Sequence, residues 1–319
     1  MTEVLESALG RIIYLAGNSQ DRPIGGIKAM VQHVLLLREA GFEAYISGAV
    51  SRSAPWLTEQ APLLPIGAGG VVLYPTDSIV VGETNGQAMR DLRSFRCGKH
   101  VYCQNQHYVT WGLKGPERWS DFGFDRVFAA SAGIAGFLSR VLGVDAQVVP
   151  PVIDHALFTA SAKRVQVAAI PRKRKGEAAN IRAVLGWKHP RWAAVPWVNI
   201  DNRSEREVAA ILGESSVLLA LGRFEGLGLP PLEAMAAGCV VAGFTGIGGA
   251  EYATAQNGFW SPEDDIEKCA DQLAAALDVV AAGGPTHAAV VAAGRATARA
   301  YDRPAVAKVV IDYWAEHAA

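Results

Sequence analysis

A short apolar run, Val217-Leu218-Leu219-Ala220-Leu221, feeds a glycine-rich turn that opens a helix. A chain with this stretch is steered toward an α/β architecture. The run reads as a buried parallel strand, apolar on both faces. Gly226 and Gly228 permit backbone angles that other residues avoid and a close approach of a ligand to the main chain. Pro230 and Pro231 suit a first helical turn, where a missing N–H removes no bond. Leu232 and Ala234 to Ala237 favour helix, and Gly238 stops it. A strand therefore ends, its loop exposes N–H groups, and a helix N-terminus points into the loop.

Unpaired N–H donors and the positive end of a helix dipole favour a phosphate. Yet Glu225 and Glu233 also belong to this stretch, and carboxylates repel phosphate. Carboxylates do accept strongly from neutral hydroxyls. A ligand carrying both a diphosphate and vicinal hydroxyls satisfies both features, and a nucleotide sugar is such a ligand. The plainer reading, that Glu233 only offsets the helix N-terminus, stays open at this point.

The rest of the chain repeats the strand–loop–helix theme. Ile12 to Gly17 reads as a first buried strand, followed by a polar loop from Asn18 to Pro23 and by Gly25-Gly26. Ile27, Met30, Val31, Val34 and Leu37 then recur at helical spacing, up to about Ala40. Strand, glycine loop, helix and strand make a Rossmann-like opening, but G-x-G-x-x-G is absent, so no dinucleotide cofactor is indicated. Residues 51–70 are loop-rich and proline-rich. Lys99 to Cys103 reads as a strand whose carboxyl end carries Gln104-Asn105-Gln106-His107-Tyr108. Ligands of open α/β sheets bind outside such ends, so Asn105 and His107 are candidates to orient hydroxyls; the alternative is an ordinary structural or solvated loop histidine. Ser131 reads as an N-cap, Ser204 to Glu207 as a capping box, and Ser261-Pro262 as a further cap.

Between Lys163 and Arg191 lie nine basic residues and one acid, Glu177. Arg172, Lys173, Arg174 and Lys175 fall between a strand and a helix, where a diphosphate leaving group needs its charge neutralised. Arg172 with Lys173 or Lys175 is the favoured pair. A solvated basic loop or a patch for anionic lipid head groups competes for the remainder.

The segment EGLGLPPLEAMAAG, with its E-x7-E spacing, resembles the donor-site signature of the retaining GT-B glycosyltransferases of family 4. VVAGFTGIGGAEY and NGFWSPEDDIEKCADQL continue the likeness. Gly222 stands where a serine is usual and Cys239 where a proline is common. The resemblance implies an α/β GT-B fold, with two Rossmann-like parallel-sheet domains facing each other across a cleft. The expected domains are 1–124 for the acceptor side, 125–300 for the nucleotide-sugar donor, and a C-terminal helix, 301–319, that packs back on the first domain in many GT-B proteins. It implies that Glu233 holds ribose hydroxyls, that Glu225 contacts the donor sugar or orients the cationic pair, and that the N–H groups of Gly226, Leu227, Gly228 and Leu229 face the diphosphate. It further implies that Gly25-Gly26 allows close backbone approach and that His107 reaches the donor sugar. Retention of anomeric configuration is implied by the family alone.

The expected activity is transfer of a sugar from a nucleotide-diphosphate donor to an acceptor hydroxyl. The acceptor class, whether saccharide, lipid-linked sugar or small molecule, is not encoded in any motif. No DxD-type motif falls in a suitable loop, so catalysis without a metal is expected, and no cofactor beyond the donor. A non-catalytic nucleotide-sugar binding protein and a GT-B nucleotide-sugar epimerase remain as alternatives. Lysine plus arginine number 30 against 31 acids, a net charge of −1, so no global field draws nucleic acid or membrane. The four cysteines lack zinc spacing and read as reduced thiols. The first residues are too short and acidic for a signal peptide, and no run approaches the roughly eighteen apolar residues of a membrane span. A cytoplasmic protein is expected, with peripheral contact at the inner membrane face left open.

Overall fold

The computed structural model describes residues 10–16, 23–48, 54, 56–65 and 72–317. The N-terminal stretch 1–9, Gly17 and the polar loop 18–22 lie outside them, as do parts of the proline-rich segment. The chain divides into two compact units, Met1–Pro151 with Val306–Ala319, and Val152–Ala305.

In the first unit the order is β1 (Ile12–Leu15), α1 (Gly25–Glu39), β2 (Ala44–Gly48), β3 (Leu63–Pro65), β4 (Ser78–Gly82), α2 (Gly86–Asp91), β5 (Gly98–Cys103), α3 (Val109–Gly112), β6 (Arg126–Ala129), α4 (Ala132–Leu142) and β7 (Gln147–Val148). All seven described strands are parallel, in the order β3-β2-β1-β4-β5-β6-β7. Helix α1 buries Ile27, Met30, Val31, Val34 and Leu37, the stripe its spacing predicts, and Gly41 leaves it at φ +89°. Ser131 caps α4 by accepting from the Ile134 N–H at 3.2 Å.

The second unit runs β8 (Arg164–Ala169), α5 (Lys175–Lys188), β9 (Trp197–Asn199), α6 (Glu205–Glu214), β10 (Ser215–Leu221), α7 (Leu229–Ala236), β11 (Val240–Phe244), β12 (Phe259–Ser261), α8 (Ile266–Ala282) and α9 (Gly284–Arg299). Its five described strands are parallel in the order β12-β11-β10-β8-β9. Strand β10 is buried throughout. Leu218 and Ala220 join a core with α6 and α7 on one face, whereas Val217, Leu219 and Leu221 join one with α5 and α8 on the other. That two-sided burial is why the run is apolar at every position.

Two expectations differ from the structure. The sequence predicts a domain crossing at 124/125, but β6 pairs with β5, Val101 opposite Val127, and β7 pairs with β6, so these strands complete the first sheet and α4 belongs to the same unit. The passage between units falls instead at Pro151-Val152. Helix α8 is capped not by Ser261 but by Asp265, which accepts from the Lys268 N–H at 2.8 Å. Glu263 and Asp264 are drawn away from the helix start by Arg174.

The final helix α10 (Arg303–His317) returns its later turns to the first unit. Trp314 Nε1 donates to the Tyr14 hydroxyl at 3.2 Å, and the Tyr313 hydroxyl shares a 2.7 Å hydrogen bond with His100 Nδ1. No single helix among the described residues is long and apolar enough to cross a membrane.

Candidate functional site

In the second unit, β8 lies between β9 and β10, so the chain winds in opposite directions from this point. Such switch points open a crevice at the carboxyl ends of the strands. The loop after β8 carries the basic run, and the loop after β10 carries the glycine turn. The structure brings them together. Lys173 closes a 3-10 turn, Pro171–Lys173, and its Nζ lies 2.9 Å from a Glu225 carboxylate oxygen. The same ammonium donates to the carbonyls of Arg223 at 3.0 Å and Phe224 at 3.4 Å. Arg172, Lys173, Glu225, Gly228, Pro230 and Thr245 line one cleft here.

The turn has its shape because backbone packs on backbone. Glu225 N–H donates to the Gly246 carbonyl at 2.9 Å. A Cβ on Gly248 would sit 2.6 Å from the Glu225 carbonyl oxygen, and one on Gly246 would sit 2.9 Å from the Gly222 carbonyl carbon. Gly228 adopts φ +86°, a left-handed value, immediately before α7. Tyr252 pins it by donating to the Gly228 carbonyl at 2.7 Å. Burial, with added influence from Tyr301, Glu225, Glu233 and Glu251, pushes the Tyr252 hydroxyl well above its ordinary pKa, so it remains a donor. Glu233 lies on α7 and is buried, 7% exposed.

Of the four consecutive basic residues, the structure singles out one that the sequence reading passed over. Arg174 is 2% exposed. It pairs with Glu177, Glu263 and Asp264, donates to the Gly222 carbonyl at 2.9 Å, and stacks on the Phe244 ring at 4.3 Å. Burial opposes its charge, yet hydrogen bonds to Glu177 and Asp264 hold the guanidinium above its usual pKa. Glu263 in turn accepts from the Gly246 N–H at 2.8 Å. Arg174 thus ties the loops after β8, β10 and β11 together. Lys175 is exposed and lies 3.6 Å from Asp201, away from the cleft's lining. Much of the local positive excess meets acids of the same unit, as Lys188 does with Glu267 and Asp271.

In the first unit the switch falls between β1 and β4. Gly25 and Gly26 start α1 there, and Gln104, just past β5, donates through Nε2 to the Gly26 carbonyl at 2.9 Å. Glu83, just past β4, accepts from the Gln104 N–H at 3.0 Å. Burial pushes its carboxyl up to about 7, against backbone hydrogen bonds that lower it. The sequence reading missed Glu83; an acid directly after a buried strand's carboxyl end was the available signal. His107 sits in the next turn, Gln106–Tyr108, with its N–H donated to Asn105 Oδ1 at 3.0 Å and its Nε2 3.2 Å from Gln106 Nε2.

Residues 164–279, which hold the Lys173–Glu225 cleft, match the family of glycosyl transferases group 1. Over 264 residues, 80% of each chain, the sequence is 25% identical to an α-1,6-glucosyltransferase of Actinobacillus pleuropneumoniae. Among solved structures, a sucrose-phosphate synthase of Thermosynechococcus elongatus superposes with a TM-score of 0.71 at 15% identity, covering 96% of this chain and 98% of the other. Anabaena Alr3699/HepE in complex with UDP-glucose gives 0.70 at 12% identity, covering 96% and 99%. Two parallel α/β units and these structural neighbours give the chain the GT-B fold, and the part of it that forms the cleft at the second unit's switch point is similar to the glycosyl transferases group 1.

Proposed function

We propose that the protein transfers a sugar from a nucleotide-diphosphate donor to an acceptor hydroxyl, with retention and without a metal. The observation that carries this reading is the Lys173–Glu225 pair, at 2.9 Å, beside the glycine turn and the start of α7. In transfer, the sugar–phosphate bond breaks, the acceptor oxygen bonds to the same carbon, and the acceptor's proton leaves with the diphosphate. Negative charge grows on that diphosphate. Lys173, with Arg172 beside it and the N–H groups of Gly226 to Leu229, stabilises that charge more in the transition state than in the ground state. These cations do what a divalent ion does elsewhere. Glu225 holds Lys173 in place and accepts from a donor hydroxyl, and Glu233 accepts from ribose hydroxyls. A uridine diphosphate donor carrying glucose is the favoured choice, supported by the UDP-glucose bound to Alr3699/HepE and by the α-1,6-glucosyltransferase relative.

The test is thermal unfolding against UDP, ADP and GDP and their sugars. A ligand of the folded state at a hundredfold excess over Kd adds about 2.7 kcal/mol. UDP and UDP-glucose are expected to raise the melting temperature, and Lys173→Ala to lower kcat about a hundredfold with little change in unfolding midpoint. A folded protein shifted by no nucleoside diphosphate refutes the donor site.

A further inference from the structure

The turn after β5 continues without a break from Gln106–Tyr108 into α3, and it carries an aromatic pair. The rings of Tyr108 and Trp111 lie parallel, with centroids 4.1 Å apart and planes at 17°. Trp111 is 65% exposed, among the most exposed large hydrophobic side chains of the described residues. Its neighbours Val109, Gly112 and Leu113 are buried. The chain here therefore turns an indole outward while anchoring the backbone on either side of it.

That anchorage is tight. A Cβ on Gly112 would lie 2.0 Å from the Glu83 carbonyl oxygen, and one on Gly86 would lie 1.8 Å from the Gly112 carbonyl oxygen. Arg90 donates to the Gly112 carbonyl at 3.2 Å and pairs with Glu117, whose carboxylate also accepts from the Lys114 N–H. The stacked rings sit on backbone held from two sides, so presenting them to a ligand requires little ordering. Gln106 and His107 precede Tyr108 in the same turn and add an amide and an imidazole to it, their Nε2 atoms 3.2 Å apart.

A flat apolar face bordered by directional polar groups suits a pyranose. The axial C–H groups of a sugar ring form an apolar patch with slight positive charge, which meets the negative face of an indole. The equatorial hydroxyls at its rim need donors and acceptors such as an amide and an imidazole. The location agrees, because the turn leaves the carboxyl edge of a parallel sheet, where ligands of such folds bind. We propose that Trp111, stacked on Tyr108, is an acceptor subsite for a saccharide, so that the protein extends a sugar rather than modifying an apolar alcohol. This rests on the reading of the chain as a transferase to a hydroxyl acceptor. It adds the acceptor's chemical class and a residue outside the donor cleft.

The experiment is saturation-transfer NMR on the full chain with glucose, maltotriose, isomaltotriose and cellotriose, followed by titration of the strongest binder. Trp111→Ala and Trp111→Phe are compared with wild type, and far-UV circular dichroism confirms that each is folded. Ring-proton saturation of at least one saccharide is expected in wild type. Affinity should fall about tenfold in Trp111→Ala and return in large part in Trp111→Phe. No saccharide binding by wild type, or binding unaltered in Trp111→Ala, overturns the subsite. Co-sedimentation with vesicles of phosphatidylcholine and phosphatidylglycerol, lost in Trp111→Ala while saccharide binding is absent, overturns it in favour of a membrane anchor. Wild-type nucleotide binding, read in the same samples by UDP-induced melting shift, separates failure of this subsite from failure of the donor reading.

Discussion

Among the four consecutive basic residues 172–175, chemistry alone does not distinguish roles. Geometry does. Arg174 is buried under three carboxylates and the Phe244 ring, whereas Lys173 faces the cleft and Glu225. Removing Arg174 would leave Glu177 and Glu263 without their shared cation and free the Gly222 carbonyl. Arg174→Ala is expected to lower stability by about 2–3 kcal/mol, the scale for charge-assisted hydrogen bonds with partly buried partners. Urea unfolding measures it. An unchanged midpoint would mean that the carboxylates are equally well served by water. The run's composition was legible in the sequence; which member turns inward was not, because its partners Glu263 and Asp264 are far along the chain.

At the scale of elements, the strand–turn–helix from β10 to α7 was the most legible part of the chain. Its signals are local: an all-apolar strand, Gly228 at the turn, and prolines in the first helical turn. The structure adds why the glycine matters. Gly228 has φ +86°, and a Cβ there would approach the Tyr252 hydroxyl to 3.2 Å. Gly228→Ala should therefore lower stability by about 1–2 kcal/mol, the strain of a left-handed non-glycine residue. It should also weaken UDP binding by displacing the N–H groups of the turn. Calorimetric titration reads the second effect, and full affinity in the variant would remove the turn from the donor site. The start of α8 was misread for the opposite reason. Ser261-Pro262 is a sound local cap, but the acids that follow it pair with Arg174, and Asp265 takes the cap.

At the scale of the molecule, the first unit concentrates buried titratable groups. His33 and His100 are completely enclosed, and burial lowers their pKa values to about 4 and about 3. An unfolded histidine titrates near 6.5. Between those values the unfolded chain binds more protons, so these two residues stabilise fully above about pH 6.5 and lose that contribution as pH falls. Glu83 has the opposite sign. Its pKa is raised to about 7 by burial, so the folded form gains relative to the unfolded as pH falls from about 7 toward the usual carboxyl value. The effects partly cancel at first, and below about pH 4.5 only the histidine loss continues. The first unit should therefore unfold at lower urea as pH drops from 6 to 4, with most of the loss at the acid end. His100→Phe should flatten that dependence, while also losing the bond to Tyr313. An unchanged slope would mean that His100 is charged in the folded protein.

The sequence by itself determined what short-range chemistry can specify: two sets of parallel strands with helices between them, the Ser131 and Ser204 helix caps, and a strand–turn–helix marked by glycine spacing, prolines and two glutamates. Each of these depends on residues within one or two turns of each other. Tertiary structure decided what depends on distant partners. It placed the passage between units after β7 rather than before β6, because strand pairing rather than apolarity assigns a strand to a sheet. It returned α10 to the first unit, where Tyr14 and His100 meet it from about 300 and about 213 residues away along the chain. It also chose Lys173 over Lys175 for the cleft, because a lysine's reach depends on the turn that aims it and not on its charge.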